Sequence, residues 1–274
     1  MRGTNSAVLH GLLLKIDAMI NRIAVSGLNG SNHILRTLQD NISNVRSTAF
    51  KGERAFTLDA WQTPSGGGGA EPAMVTRNPT QGPLQGTSNA LDFALTGPGF
   101  FVTADGEEQR YTRAGNFSLS ADGHIVSDGG YALLGYPGSR AEAAGGSAPT
   151  PLRLPAPLAA DASLAVDAKG QMILSDAKGA TLVGTVAIAK FPVEGGLQAL
   201  SESQYGESAA SGPAIFGVAD GAQTSLQQRQ LEQANVNLMD QLTSLIAVQN
   251  AFSAQAKSLS TYDEMIKTSL SDMR

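Results

Sequence analysis

The sequence predicts an α+β fold in which long N- and C-terminal helices pair as a coiled coil and enclose an antiparallel, all-β central domain. Three features carry this prediction: helical periodicity near the N-terminus, short apolar segments separated by Asp-Gly turns, and an uninterrupted helical stretch near the C-terminus. The predicted segments are a helical part over 1–51, a flexible Gly- and Pro-rich connection over 52–83, an antiparallel β domain over 84–222 and a coiled-coil helix over 223–274.

The N-terminal part repeats apolar residues at helical spacing over 5–23, after which Gly27 and Gly30 loosen the pattern. The pattern then resumes in what we call the N-terminal seam, made of Leu28, Leu35, Leu38, Ile42 and Val45. The first stretch resembles the core of a secretory signal, but it carries charged residues and no A-x-A-like cleavage site follows. We therefore interpret it as an amphipathic helix, and any export would proceed without a cleaved signal peptide.

After Val45 the helix is expected to end in a polar turn in which Phe50 is an apolar anchor. Residues 64–69 read Pro-Ser-Gly-Gly-Gly-Gly and predict a flexible loop, since such a sequence does not hold regular structure unaided.

The central region alternates short apolar segments with turns from residue 84 onwards. Asp105-Gly106 and Asp122-Gly123 predict hairpins, because Gly supplies the positive φ that such turns need. Two further turns, both reading Asp-Ala-Lys-Gly, begin at Asp167 and Asp176 and predict a second small meander.

The C-terminal stretch from Leu231 to Leu270 contains no Gly or Pro, although the chain has 31 Gly and 12 Pro. Its pattern alternates steps of four and three, as in a coiled coil. This C-terminal seam comprises Leu238, Leu242, Leu245, Gln249, Phe252, Ala256, Leu259, Asp263, Ile266 and Leu270. Because a long helix needs a packing partner, we expect the two seams to pair. The alternative is two unrelated surface helices, each packed on its own core.

Composition excludes several classes of function. The formal net charge of −5 offers no electrostatic footprint for nucleic acid. The absence of cysteine rules out disulfides, thiolate metal sites and a cysteine nucleophile. No apolar run approaches the roughly 20 residues of a membrane span, so no membrane insertion is expected.

No pattern for catalysis, a cofactor or a metal is present, and none of the three is expected. His10, His33 and His124 are scattered without ligand spacing, and the Asp-Gly turns lack the pattern of a calcium loop. The Gly-rich runs lack the spacing of a phosphate loop. We consider Asp92, Arg113 and Asp122 as candidates for a buried ion pair, with solvated loop charges as the alternative interpretation.

Three stretches together resemble the bacterial flagellar axial proteins, the rod and hook subunits. The first, residues 40–51, is similar to the family signature N-N-I-A-N-x-x-T-x-G-F-K. The matching residues are Asn41, Ile42, Asn44, Phe50 and Lys51. Ala49 stands where the family has Gly, which is costly if that position needs a positive φ.

The second stretch lies in the central region and is similar to the family motifs L-D-x-A-I-x-G-x-G-F-F and Y-T-R-x-G-x-F, here beginning at Leu91 and Tyr111. The third begins at Asn235 and is similar to S-N-V-D-L…A-Q…A-K…S-T-x-D-E-M. The resemblance spans roughly residues 23 to 270, nearly the whole chain. Family members begin near the equivalent of Met19, so residues 1–18 are either an extension or the product of an upstream start codon.

The resemblance implies paired terminal helices, a β domain that faces outward, export through the flagellar type III apparatus and self-assembly into a hollow helical tube that transmits torque. It is most like the distal rod protein, a periplasm-spanning part of the basal body; a short extracellular hook protein is the alternative. A secreted adhesin or glycan-binding β module with oligomerising helices is more distant. Expected partners are copies of itself, other rod and hook proteins and the export apparatus. The expected assembly interface comprises Leu28, Leu35, Leu38, Asn41, Ile42, Asn44, Val45, Phe50, Lys51, Leu238, Leu242, Leu245, Gln249, Phe252, Ala256, Leu259, Asp263 and Ile266.

Overall fold

The computed structural model describes residues 2–59, 70–106, 108–138, 148–155, 163–176, 179–201 and 203–272. The chain divides into two compact units. The first unit comprises Met1–Ser43, Glu53–Arg77 and Asn237–Arg274, and the second comprises Asn44–Gly52 and Asn78–Val236. In the described part of the chain, no helix is both long and apolar enough to cross a membrane. The predicted α+β class, with helices near both ends and antiparallel strands between them, is confirmed.

The first unit contains two long helices, α1 (Arg2–Ser43) and α2 (Leu238–Asp272). Helix α1 runs through Gly27 and Gly30 without the loosening that the sequence pattern suggested. A helical Gly costs about 1 kcal/mol relative to Ala, and packing offsets this cost here. Gly30 is buried, and a Cβ on Gly27 would lie 3.9 Å from Oε1 of Gln255 in α2.

The two helices lie against each other and run antiparallel. Nδ2 of Asn41 donates to Oε1 of Gln241 at 3.1 Å, and the hydroxyl of Ser31 donates to Oε1 of Gln255 at 3.2 Å. Contacts therefore move towards the end of α2 as they move towards the start of α1. The two terminal helices therefore contact each other, whereas a coiled-coil pairing of the two seams stays a prediction.

Strands β1 (Glu53–Asp59) and β2 (Ala70–Arg77) form an antiparallel pair in the first unit. They lie in the stretch expected to be a flexible connection. The backbone pairing runs from Glu53 opposite Arg77 to Asp59 opposite Ala70, and Nε of Arg77 donates to Oε1 of Glu53 at 2.9 Å. Packing against α1 supports this hairpin, because a two-stranded ribbon is marginal alone. The predicted Pro64–Gly69 loop lies outside the described residues.

The start of the C-terminal helix differs from the expected one. Strand β18 (Ser225–Gln228) pairs with β4 (Phe93–Thr96), and β19 (Gln230–Glu232) pairs with β3 (Leu84–Gly86). The helix begins only at Leu238, where Oδ1 of Asn237 accepts the N–H of Met239 at 3.0 Å, as an N-cap does. The lack of Gly and Pro over 231–237 would permit a helix. Instead β19 pairs with β3, and the helix begins only after this stretch.

The other strands of the second unit form one antiparallel sheet within the described residues. Its strands are β5 (Phe100–Asp105), β6 (Glu108–Thr112), β7 (Phe117–Leu119), β8 (Ile125–Ser127), β9 (Ala132–Tyr136), β10 (Thr150–Pro151), β11 (Ser163–Val166), β12 (Gln171–Asp176), β13 (Gly179–Val186), β14 (Ile188–Lys190), β15 (Gln198–Ser201), β16 (Gln204–Gly206) and β17 (Ile215–Gly217). Its main path runs in the order β11-β12-β13-β9-β5-β6-β16-β15.

The predicted Asp-Gly turns join these strands. Gly106 follows β5 with φ of 64°, and Gly123 lies between β7 and β8 with φ of 83°. The N–H of Gly170 donates to the Asp167 carbonyl at 2.9 Å and closes the turn between β11 and β12. These hairpin predictions are confirmed; the centre of the turn that begins at Asp176 lies outside the described residues.

Two apolar clusters form the core of the second unit. Adjacent residues of β5 belong to different clusters, since successive side chains of a strand point to opposite faces. Phe101 packs edge-on against Phe117 in one cluster, and Phe100 packs edge-on against Phe191 and Tyr205 in the other. The motif Gly-Phe-Phe therefore supplies an aromatic anchor to each side of the sheet.

Candidate assembly surface

The predicted interface residues near the N-terminus are mostly half-buried within the single chain. This class contains Leu28, Leu35, Leu38, Ile42, Asn44, Val45 and Phe50. Asn41 and Lys51 are buried. Helix α1 ends before Asn44, so the last four positions of the predicted interface on this side, from Asn44 to Lys51, belong to a loop in the second unit.

The predicted C-terminal seam divides into two classes along α2. Leu245, Phe252, Leu259 and Ile266 are half-buried, whereas Leu238, Leu242, Gln249, Ala256 and Asp263 are exposed. The half-buried face is completed by Gln241, Val248 and Tyr262, which the sequence pattern did not single out. Gln255, exposed but bonded to Ser31, falls between them at the same four-and-three spacing. Four of the nine seam residues whose burial the structure describes thus lie on the face towards α1, and the other five do not; the side chain of Leu270 is outside the described ones.

Large apolar side chains are exposed at the start of α2. This exposed α2 stripe consists of Leu238, Met239, Leu242 and Ile246. Met239 is 71% exposed and Ile246 is 59% exposed. Contiguous exposed apolar residues mark sites of protein association more often than isolated ones do. The stripe can therefore receive an apolar surface of another molecule.

Asn41 joins three parts of the first unit. Its Oδ1 accepts the Glu53 N–H at 2.8 Å, and its Nδ2 donates to the Glu53 carbonyl at 2.8 Å and to Oε1 of Gln241 at 3.1 Å. The side chain is only 2% exposed. Both polar atoms of the buried amide are thus satisfied, which is what burial of such a group requires. The signature residue fixes the end of α1 to the start of β1 and to α2.

Residues 44–52, here called the signature loop, follow α1. Ala49 has φ of 55°, a left-handed conformation in which a Cβ is unfavourable, and its side chain is fully buried. Its N–H donates to the carbonyl oxygen of Glu232 at 2.7 Å. The expected cost of Ala in place of Gly is therefore real, since this position does have a positive φ.

Lys51, Arg113 and Glu232 form a buried ion cluster, the Glu232 cluster. Nζ of Lys51 lies 2.5 Å from Oε1 of Glu232, and a nitrogen of Arg113 lies 3.5 Å from Oε2. The same Oε1 accepts the Gly82 N–H at 2.9 Å, and Lys51 also donates to the Thr80 carbonyl at 2.9 Å. Burial lowers the pKa of the Lys51 ammonium, and the Glu232 carboxylate opposes that shift.

Asn235 fixes the other end of the signature loop. Its Oδ1 accepts the N–H of Gly52 at 2.7 Å, while its Nδ2 donates to the carbonyls of Asn78 and Thr80 at 3.0 and 2.8 Å. Its own N–H donates to the Phe50 carbonyl at 3.2 Å. The third family motif, which begins at Asn235, is thus bonded to the first within the second unit.

The three candidates for a buried ion pair do not pair with one another. Arg113 is buried, but its carboxylate partner is Glu232. Asp92 is buried and accepts a hydrogen bond from Asn89 at 2.8 Å, and Asp122 is exposed. The sequence did not single out Glu232, because this residue lies in the stretch predicted to be the C-terminal coiled-coil helix, whereas the structure places it in β19.

No group of three histidine, aspartate or glutamate side chains is placed to hold a metal ion among the described residues. Around the signature loop, the side chains of Lys51, Glu232 and Asn235 are hydrogen-bonded within the chain. Two features of the structure bear on assembly. The second unit contains a signature loop held by polar contacts, and the first unit contains a helix with an exposed apolar stripe.

Two family models match separate parts of the chain. Residues 227–273 match the model described as flagellar basal body rod FlgEFG protein C-terminal. Residues 94–174 match the model described as flagellar hook protein FlgE/F/G D1 domain. The first match covers Glu232 and α2, and the second covers much of the large sheet.

Three relatives illustrate the range of similarity. The flagellar basal-body rod protein FlgG of Agrobacterium fabrum is 30% identical over 265 residues, which cover 89% of this chain and 95% of the relative. FlgG of Caulobacter vibrioides is 30% identical, with 90% and 96% covered. The flagellar hook protein FlgE of Rhizobium meliloti is 35% identical, but over only 42% of this chain and 30% of its own length. The nearly complete matches show that this chain belongs to the family of FlgG flagellar basal-body rod proteins.

Proposed function

We propose that this protein is a structural subunit of the flagellar basal-body rod, of the distal-rod type. It self-assembles into a hollow helical tube that transmits torque. The observation that carries the proposal is the exposed α2 stripe. Its apolar side chains are between 38% and 71% exposed in the single chain, and burial of the exposed part contributes roughly 25 cal/mol for each Å² of apolar surface removed from water.

Two faces of α2 have separate roles in this proposal. The half-buried face, which includes Leu245 and Phe252, packs on α1 as an antiparallel coiled coil. The exposed positions, which include Leu242, Gln249 and Asp263, contact neighbouring subunits in the tube. The division of the predicted seam into two exposure classes supports this assignment.

The signature loop completes the proposed interface indirectly. Asn44 and Lys51 belong to a loop whose polar groups are bonded within the chain, so these two residues shape the subunit instead of supplying a large apolar contact. Phe50 and Val45, both half-buried, are the loop's apolar candidates for contact with a neighbour. This role requires no catalytic residue and no cofactor.

The rod is favoured over the hook because relatives named as rod proteins match over nearly their whole length. The similarity to a hook protein is confined to less than half of this chain. The adhesin alternative lacks a comparable argument. As a rod subunit the protein would leave the cytoplasm through the flagellar type III apparatus, without a cleaved signal peptide, and would contact other axial proteins.

Immunogold labelling of isolated hook–basal bodies from the source bacterium tests the location. An antibody against the second unit is expected to label the straight rod in bodies whose outer rings have been removed. Label along the curved hook would favour the hook alternative instead. Labelling of the cell surface without any label on basal bodies would favour the adhesin.

Assembly of the purified chain tests the role of the helices. The full chain is expected to form tubes visible by electron microscopy, and a variant that lacks 1–43 and 237–274 is expected to remain monomeric. These limits retain Lys51 and Glu232, whereas removal of 1–51 or 231–274 would take away half of a buried ion pair. Tubes formed equally well by the shortened variant would contradict the proposal.

A further inference from the structure

Buried charge is concentrated at one place in the second unit. Among the described residues, four charged side chains are buried: Lys51, Asp92, Arg113 and Glu232. Three of them form the Glu232 cluster, and Glu232 itself is 0% exposed. They come from the signature loop, from the end of β6 and from β19, which are far apart in sequence. A single carboxylate thus faces two cations.

Stability alone is a poor explanation for such a cluster. Removing charged groups from water is costly, and well-packed apolar replacements of a buried ion pair are often equally stable or more so. Removing only one partner is different, because it leaves an unpaired buried charge. The ionic arrangement instead fixes the positions of its members, because Oε1 of Glu232 accepts hydrogen bonds from both Nζ of Lys51 and the N–H of Gly82.

The signature loop depends on these polar contacts for its shape. None of its residues is a member of either apolar core cluster. Ala49 is held in a left-handed conformation by a bond to the Glu232 carbonyl, and the hydroxyl of Ser203 donates to the Thr48 carbonyl at 3.1 Å. Ser203 is itself left-handed, with φ of 67°. A strained loop without an apolar core retains one conformation only if its surroundings impose it.

We propose that Glu232 is a positioning residue for assembly: its carboxylate holds Lys51, and its carbonyl holds Ala49, so that the chain between α1 and β1 adopts a single conformation. The assembly role rests on the proposed function above, whereas the positioning of the loop does not. A subunit that joins a regular tube must present its helices in the same way in every copy. The signature loop is the covalent link that follows α1, so we expect its conformation to matter for assembly.

Amide hydrogen exchange tests the positioning in the full chain. Glu232→Gln keeps the shape of the side chain but removes its charge, and Lys51→Met removes the partner. Each is expected to speed exchange of the Ala49 and Gly52 amides about tenfold or more, and a tenfold change corresponds to about 1.4 kcal/mol of local protection. The Leu154 amide, bonded to the Gly123 carbonyl at 2.8 Å elsewhere in the same unit, should keep its rate.

A double variant separates a joint role from two independent structural roles. If the carboxylate acts through Lys51, the Glu232→Gln/Lys51→Met variant exchanges no faster than the worse single variant, whereas independent roles multiply. Glu108→Gln is the matched control, since its ion pair with Arg110 is 3.5 Å long and Glu108 is 80% exposed. Unchanged Ala49 exchange in both single variants would overturn the proposal. If Glu232→Gln does not fold, Lys51→Met decides alone.

Electron microscopy of the same variants tests the link to assembly. Where the wild-type chain and Glu108→Gln form tubes, Glu232→Gln is expected to form none while its second unit still unfolds cooperatively. Regular tubes of Glu232→Gln in spite of a freely exchanging loop would refute the assembly role. If the wild-type chain forms no tubes, the proposed function is contradicted, and the exchange rates still determine whether Glu232 positions the loop.

Discussion

Asn41 and Gln241 are 200 residues apart in sequence, and their side-chain amides meet at 3.1 Å where α1 ends and α2 begins. Asn41 also makes two bonds to the backbone of Glu53. One buried amide therefore connects both helices and the first strand of the hairpin. It gives the first unit a buried polar connection at one end of the helix pair. Farther along the helices, the contact depends on half-buried apolar side chains and on the hydrogen bond from Ser31 to Gln255.

Replacing Asn41 with Leu should lower the free energy of unfolding of the first unit by roughly 2–3 kcal/mol. The reason is that the Glu53 N–H and carbonyl lose their partners, and Leu offers none. Urea denaturation followed by far-UV circular dichroism measures the change. Gln39→Ala, on the exposed side of α1, is the control and should cost little. A stability equal to that of the control would show that the amide contributes nothing to the fold.

Ala49→Gly should be nearly neutral. Gly relieves a left-handed strain of about 1–2 kcal/mol, but it loses a buried methyl group worth about 0.8 kcal/mol and adds backbone freedom to the unfolded chain worth about 0.5–1 kcal/mol. Ala94, also fully buried and located in β4 without a positive φ, is the matched control. Ala94→Gly should cost about 1–2 kcal/mol, because it loses the methyl and gains backbone freedom. Denaturation midpoints of both variants decide the matter; equal losses would mean that Ala49 is not strained.

The two faces of α2 should respond differently to substitution. Phe252→Ser, on the half-buried face, should lower both helix stability and tube formation, since it weakens packing on α1. Leu242→Ser, on the exposed α2 stripe, should reduce tube formation with little change in the melting of the monomer. Circular dichroism and electron microscopy provide the two readouts. Equal destabilisation of the monomer by both variants would argue against a division of roles.

The polar positions of the predicted seam provide an independent check. Gln249 and Asp263 are exposed in the single chain, so Gln249→Leu and Asp263→Leu should alter tube formation more than monomer stability. Ser253→Ala, another exposed position of α2, is the control. Tubes of unchanged yield and diameter in both Leu variants would remove these residues from the interface.

Alkaline conditions should weaken the second unit through Tyr111. Burial raises the pKa of its phenol above the ordinary value of 10.0, as does its bond to Oε1 of Glu207 at 2.5 Å. Above pH 10 the unfolded chain loses this proton while the folded chain keeps it, so stability present below pH 10 declines by up to about 1.4 kcal/mol per pH unit. Tyr111→Phe should be about 1 kcal/mol less stable near neutrality but show a shallower alkaline decline. Denaturation series at several pH values compare the slopes; identical slopes would exclude Tyr111.

Much of the local structure followed from short-range chemistry. Glycine after aspartate marked the hairpins at Gly106 and Gly123, because positive φ is a local requirement. The likeness of residues 40–51 to the family signature also identified Ala49 as the residue whose conformation matters. Neither inference needed knowledge of distant contacts.

Where the prediction differed, a distant partner decided. Residues 231–237 carry no helix breaker, yet β19 pairs with β3, which lies far upstream. The stretch expected to be flexible contains a hairpin, since α1 supplies a surface for it. Backbone hydrogen bonding and burial against remote segments outweighed local preference in both places.

The sequence by itself determined the period of the two helices, the turns of the sheet and the family likeness, because these depend on residues that are close together along the chain. Only the tertiary structure decided which flank of the C-terminal seam meets α1, because a period identifies a stripe but not its partner. It also decided that Glu232 is the carboxylate facing Lys51 and Arg113. No spacing encodes that relationship, since it arises where three distant segments are folded onto one another and must satisfy their charges together.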